Sequence, residues 1–236
     1  MGLFDKKFCD ICGDKIGLLG NRKLDDGNMC KNCAALLSPF MTDRRRTSIA
    51  DIKEHLAYRE ANRASLASLN VTRTLGSGTM KVMLDEDARR FIVTSVSRWQ
   101  EANPDIMEFS QVTGCETEIK ESRTELKRKD RDGKEISYNP PRYDIDYDFH
   151  ITIHINSPWF SQISFKVNSS RIEDKGSVEY READRQSREI KTALTQVRQE
   201  VRREAAPKAA VTCPHCGATT MPDASGCCEY CGGSVK

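Results

Sequence analysis

Residues 143–155, Y-D-I-D-Y-D-F-H-I-T-I-H-I, alternate without interruption between apolar and polar side chains. In an extended strand successive side chains point to opposite sides, so Tyr143, Ile145, Tyr147, Phe149, Ile151, Ile153 and Ile155 share one face. Asp144, Asp146, Asp148, His150, Thr152, His154 and, one step further on, Asn156 share the other. A strand of that length with one wet face belongs to an antiparallel sheet packed on a core from one side. Ser157-Pro158 is expected to end it, and Ile163, Phe165 and Val167 to form its partner.

Reading upstream, Asn139-Pro140-Pro141 predicts a break in the chain, and Asp132-Gly133 has the chemistry of a tight hairpin turn. Cys115, Thr117 and Ile119 suit a further strand. Met80, Val82 and Leu84, a turn over Asp85 to Ala88, then Phe91 and Val93 predict a β-hairpin. Before it, Ser48 with Asp51 three residues on starts a helix over 48–69, whose Ile49, Ile52, Leu56, Arg63 and Leu66 follow a helical period. After the strands, Ile190, Leu194, Val197 and Val201 form the single apolar stripe of a helix over 178–204, suited to lie across an open sheet or barrel mouth. Ala205 to Ala210, around Pro207, reads as a helix-ending linker.

Both ends carry paired C-x-x-C turns. The first pair is Cys9, Cys12, Cys30 and Cys33, and the second is Cys213, Cys216, Cys228 and Cys231. Zinc takes four thiolates tetrahedrally, so each quartet predicts one closed, structural zinc site, two per chain, with no position left for a catalytic water. Glycine follows three of the four turns, at Gly13, Gly217 and Gly232, where the chain must curl round the metal at positive φ. Cys227 is the spare thiol beside Cys228, and His215 within the last knuckle is read as solvent-exposed. Segments as short as residues 1–40 and 212–236 bury too little to fold without a metal.

Other residues read as ordinary structure. His150 and His154 lie about 13 Å apart along one strand face, too far to share an ion unaided. Cys115 is a lone thiol with no base beside it. Gly76-Ser77-Gly78 is a connector without the lysine of a phosphate loop. Ten cysteines grouped as C-x-x-C indicate metal in a reducing compartment rather than disulfides. The opening M-G-L-F-D-K-K is not a signal peptide, Lys6 argues against myristoylation, and no run approaches a membrane span, which predicts a cytoplasmic protein. Lys plus Arg, at 37, nearly balances Asp plus Glu, at 35, so no strong field steers the chain to a polyanion. The basic stretches Arg44 to Arg46, Lys127 to Lys129 with Arg131, and Arg198, Arg202 and Arg203 read as solvated faces more than as a nucleic-acid surface.

Three resemblances accompany these readings. C-D-I-C-G-D-K-I-G with R-K-L-D-D-G-N-M-C-K-N-C, within residues 1–40, resembles a bacterial N-terminal zinc-ribbon domain family of unknown function. Residues 212–234 are similar to generic bacterial zinc-ribbon tails. The hairpin at 79–94, I-M-E-F-S-Q-V at 106–112 and the terminal helix resemble bacterial pleckstrin-homology-like domains. They imply a bacterial, cytoplasmic protein. The expected fold is α+β: a four-Cys zinc ribbon over 1–40, a linking helix over 41–70, an antiparallel β-rich middle domain with its helix over 71–204, a linker over 205–211 and a second zinc ribbon over 212–236. The expected function is non-enzymatic, a protein-interaction or assembly module, with nucleic-acid binding as the alternative and an enzymatic site in the middle domain behind both.

Overall fold

The computed structural model describes residues 7–205, 210–222 and 226–235. Residues 206–209 of the linker expected over 205–211, and the Met1-Gly2 terminus, lie outside the described residues. Mixed helix and antiparallel sheet divide into two compact units, Met1–Arg198 and Gln199–Lys236.

The first unit opens with a hairpin of β1 (Arg22–Lys23) and β2 (Asn28–Met29), a short helix α1 (Lys31–Ala35), and helix α2 (Ile49–Leu66). Ser48 caps α2 by accepting the Asp51 N–H, and Asp51 accepts the Ser48 N–H in return, closing the predicted box with Asp in the place of Glu. The buried face of α2 differs from the expected apolar one. It consists of Ile52, His55, Arg59, Asn62 and Leu66, while Arg63 is exposed.

Three buried polar side chains are tolerated because partners meet them, save at His55 Nδ1, which is buried without one. Arg59 Nη1 lies 2.7 Å from Asp105 Oδ1, Nη2 donates to Asn103 O at 2.5 Å, and Nε donates to Leu36 O at 3.2 Å. The Ser38 hydroxyl donates to Asp105 Oδ2 at 2.7 Å, and the Ser38 N–H donates to His55 Nε2 at 3.0 Å. Asn62 accepts the Ile106 N–H at 2.8 Å and donates to Pro104 O. One polar spine along α2 therefore ties residues 36–38 to residues 103–106. Further along, Leu66, Leu69, Ile92 and Trp99 form a buried cluster.

The β-rich part has two antiparallel sheets. The first is a meander of β3 (Arg73–Leu75), β4 (Lys81–Asp85), β5 (Arg90–Thr94) and β6 (Ile106–Glu108). Val82 pairs with Val93 and Leu84 with Phe91, as the alternation predicts. Met83 pairs with Ile92, and Ile92 is itself fully buried under the Leu66 and Trp99 cluster, so β5 is covered on both faces. The second sheet is a meander of β7 (Val112–Lys129), β8 (Glu135–Ile155) and β9 (Gln162–Lys166). Its burial alternates from Tyr147 to Ile155 as the period-two pattern requires. The expected break at Pro140-Pro141 is instead a bulge. Leu126 pairs with Arg142 and Lys127 with Ser137, which loops residues 138–141 out of register and leaves β8 continuous on either side. Prolines lack the N–H a ladder needs, and leaving the register removes the requirement.

Helix α4 (Val178–Ala205) begins where the Ser177 hydroxyl accepts the Tyr180 N–H and buries Ile190, Leu194 and Val197. Tyr180 meets the ring of Phe149 edge-on at 4.9 Å, Gln186 accepts the Ser77 N–H at 2.9 Å, and Arg73 pairs with Glu189 at 3.6 Å. The helix thus touches both sheets. Gly78 is a packing residue as well as a connector: a Cβ there would stand 2.1 Å from Val167 O.

In the second unit, β10 (Val211–Thr212) pairs with β11 (Thr219–Thr220).

Candidate metal centres

The first quartet is assembled by two different devices. In the turn from Cys9 to Cys12 the Gly13 N–H donates to Cys9 O at 2.8 Å with Gly13 at φ +79°, and the Cys9 N–H donates to Asp14 O. The other turn is a helix start. The Cys30 sulfur caps α1 by accepting the Cys33 N–H at 3.3 Å, which places Cys33 one turn into the helix. That is why no glycine is needed after it. The Cys30 N–H donates to Cys9 Sγ at 3.2 Å, joining the two halves.

The four Sγ atoms lie within 4.8 Å of one another, with Cys9 to Cys33 and Cys12 to Cys30 both at 3.8 Å. A tetrahedron with metal–sulfur bonds of about 2.3 Å has edges of about 3.8 Å, so these thiols stand where such an ion needs them. Burial pushes the Cys9 thiol up, but the N–H groups of Cys12, Cys30 and Ile11 outweigh it and hold the pKa near a lowered value of about 6. Cys33 is pushed far the other way by burial and by the neighbouring sulfurs. A divalent cation bound there would relieve that conflict by stabilising the thiolate form of all four sulfurs. Leu24, Met29 and Ile52 are fully buried around it, so α2 contributes to the module's core.

In the second quartet both turns are glycine-closed. Gly217 donates to Cys213 O at 2.9 Å with φ +72°, and Gly232 donates to Cys228 O at 2.8 Å with φ +70°. Cys213 and Cys231 stand 3.6 Å apart, and Cys216 and Cys228 3.8 Å, again all within 4.8 Å. Burial raises Cys228, but the Cys231 and Tyr230 N–H groups bring its pKa down to about 6. Cys228, not Cys227, completes the cluster. The ring of His215 is exposed, and a Cβ on Gly233 would meet it at 2.6 Å.

The weaker candidates are not brought together. His150 pairs in register with Lys166, and His154 lies 3.4 Å from Glu116 on the outer face of the sheet. Cys115 sits opposite Ile153, and burial pushes its pKa up to about 11, the reverse of what a nucleophile requires. The helical period of the sequence marks Ile52 and Leu66 of the buried row on α2 but not its polar members His55, Arg59 and Asn62, although all five are spaced at helical intervals of three and four.

A family profile described as a domain of unknown function (DUF4428) matches residues 7–55, which span the first quartet and run into α2. No curated protein matches the chain, and neither does any solved structure. Among the described residues no helix is long and apolar enough to cross a membrane.

Proposed function

We propose that this is a non-enzymatic protein-interaction or assembly module, held at each end by one structural zinc. Four thiolates around each ion leave no open coordination position, so the metal supplies folding energy rather than chemistry. Two antiparallel meanders, one of four strands and one of three, with a helix that touches both, support a pleckstrin-homology-like reading of the middle.

The observation that carries the interaction role is the hairpin of β7 and β8. Strand β9 pairs only with His150 to His154, so beyond Tyr147 the hairpin continues as two strands alone. From Glu121 to Lys129 it extends about 27 Å at about 3.4 Å per residue. Its side chains are largely exposed on both faces, with Tyr143 on one and Leu126 on the other. Two strands without a covering layer are marginal in water, and a partner that covers them completes the arm. Capture from lysate with and without nuclease tests this. Nuclease-resistant protein partners should be lost with Leu126→Ser combined with Tyr143→Ser. Capture that nuclease abolishes would instead favour nucleic-acid binding, and unchanged capture by the variant would exclude the arm.

A further inference from the structure

The first cysteine module holds an exposed apolar tip beside cations that have no acidic partner among the described residues. Gly17-Leu18-Leu19-Gly20 turns ahead of β1, closed by the Gly20 N–H donating to Gly17 O at 2.9 Å. Leu18 is 91% and Leu19 88% exposed. Single exposed leucines are common, but two adjacent ones held clear of the body on a glycine-flanked turn make a projecting apolar tip. Arg22 supports its base, with Nη1 donating to Leu19 O and to Asn21 O at 3.2 Å each.

Beside that guanidinium is a hollow of about 660 Å³ bordered by Arg22, Lys23, Arg44 and Arg45, with Asn21 and the single carboxylate of Asp25. None of these four cations forms an ion pair with a described residue; in this stretch the paired arginine is Arg46, on Asp43. Arg44 Nε is buried without a hydrogen-bond partner. Burial, followed by repulsion from Arg22 and Arg45, holds the Arg44 guanidinium below its usual pKa. Like charges gathered round a hollow, with one donor desolvated and unmatched, are stabilised by an anion.

We propose that this face docks on an anionic phospholipid bilayer, with Leu18 and Leu19 entering the acyl boundary and Arg22, Lys23, Arg44 and Arg45 taking headgroup phosphates. Charge alone would suit a nucleic acid equally. The tip that Arg22 supports is aliphatic, however, and non-specific nucleic-acid surfaces use aromatic planes on which bases stack. Leucines gain by leaving water, and a membrane interface offers an apolar layer directly beneath phosphates. A few cations or a small apolar insertion alone bind weakly, so both parts are needed together.

The test is vesicle sedimentation with the full metal-loaded chain near physiological salt. Vesicles containing about one-third phosphatidylserine should pellet the protein, and pure phosphatidylcholine vesicles should leave it in solution. Leu18→Ser with Leu19→Ser, and separately Arg44→Gln with Arg45→Gln, should each weaken binding about tenfold or more, with metal content and melting unchanged. Lys127→Gln with Lys129→Gln, on the hairpin arm, should pellet like the wild type. The proposal is overturned if anionic vesicles leave the protein in solution. It is equally overturned if the leucine variant pellets undiminished, or if the protein ignores vesicles and binds a mixed-sequence DNA duplex through the same arginines.

Discussion

Arg59 and Asp105 form an ion pair closed off from solvent, Nη1 standing 2.7 Å from Oδ1 with the side chains 8% and 0% exposed. Both partners use their other polar atoms as well: Asp105 also accepts from Ser38, and Arg59 also donates to Leu36 O and Asn103 O. Removing one partner leaves a buried charge uncompensated, which costs about 3–5 kcal/mol. Arg59→Ala and Asp105→Ala should each lower the urea midpoint of the first unit strongly. Arg185→Ala, which removes an exposed pair with Glu182, should leave the midpoint where it is.

The same spine makes stability depend on pH through His55. Burial first, and the nearby Arg59 charge after it, lower its pKa to about 4 against the opposing pull of Asp105. Unfolded histidine titrates near about 6.5. Between those values the unfolded state binds the extra proton, so the contribution is complete above about pH 6.5 and is lost as pH falls toward 4, up to about 3 kcal/mol in all. Denaturation midpoints measured from pH 7 down to pH 4 should show this fall. His55→Gln, whose amide oxygen can still accept the Ser38 N–H, should flatten the slope over that range.

On β8 the two faces should respond differently to substitution. Ile151 and Ile153 are fully buried, and a buried isoleucine contributes about 1.5–3 kcal/mol before the penalty of burying a charge is added. Ile151→Asp and Ile153→Asp should therefore unfold the domain or lower its melting temperature by many degrees. Thr152→Ala on the outer face loses only a hydroxyl contact with Ser164 and should be nearly neutral. Asp146→Ala should cost slightly more, about 1 kcal/mol, because Asp146 accepts the Ile172 N–H. Similar melting temperatures for the two sets would mean the faces are assigned the wrong way round.

These contrasts show what the sequence makes legible. The strand of Tyr147 to Ile155 and both cysteine quartets are readable because period-two alternation and C-x-x-C spacing are local. The row of His55, Arg59 and Asn62 is equally regular, but polar residues at helical spacing read as solvated until partners distant in sequence are known. Those partners are Ser38, Asn103 and Asp105, and nothing local to α2 announces them. Pro140-Pro141 looks like a terminator because proline cannot join a ladder. That a bulge can carry it within a strand depends on β7 opposite, which the proline motif does not encode.

The last prediction concerns the second cysteine module, where metal must do what packing does elsewhere. Its largest apolar side chains, Met221 and Tyr230, are 56% and 67% exposed. Its buried positions among the described residues from Cys213 on are Cys213, Thr220 and Cys228, so its interior is essentially sulfur. The β10 and β11 pair is two residues long, too short to persist by itself. Folding energy must therefore come from the ion, about 10–16 kcal/mol for a structural zinc at neutral pH. A peptide of residues 210–236 should bind one zinc and show dispersed amide resonances only when loaded, and the full chain should hold two. Cys227→Ser should keep both ions, because the cluster closes through Cys228, whereas Cys228→Ser should lose one. Elemental analysis of freshly reduced protein decides between them: two ions with Cys228→Ser would show that Cys227 takes over the position, and one or none in the wild type would remove the basis for two structural sites.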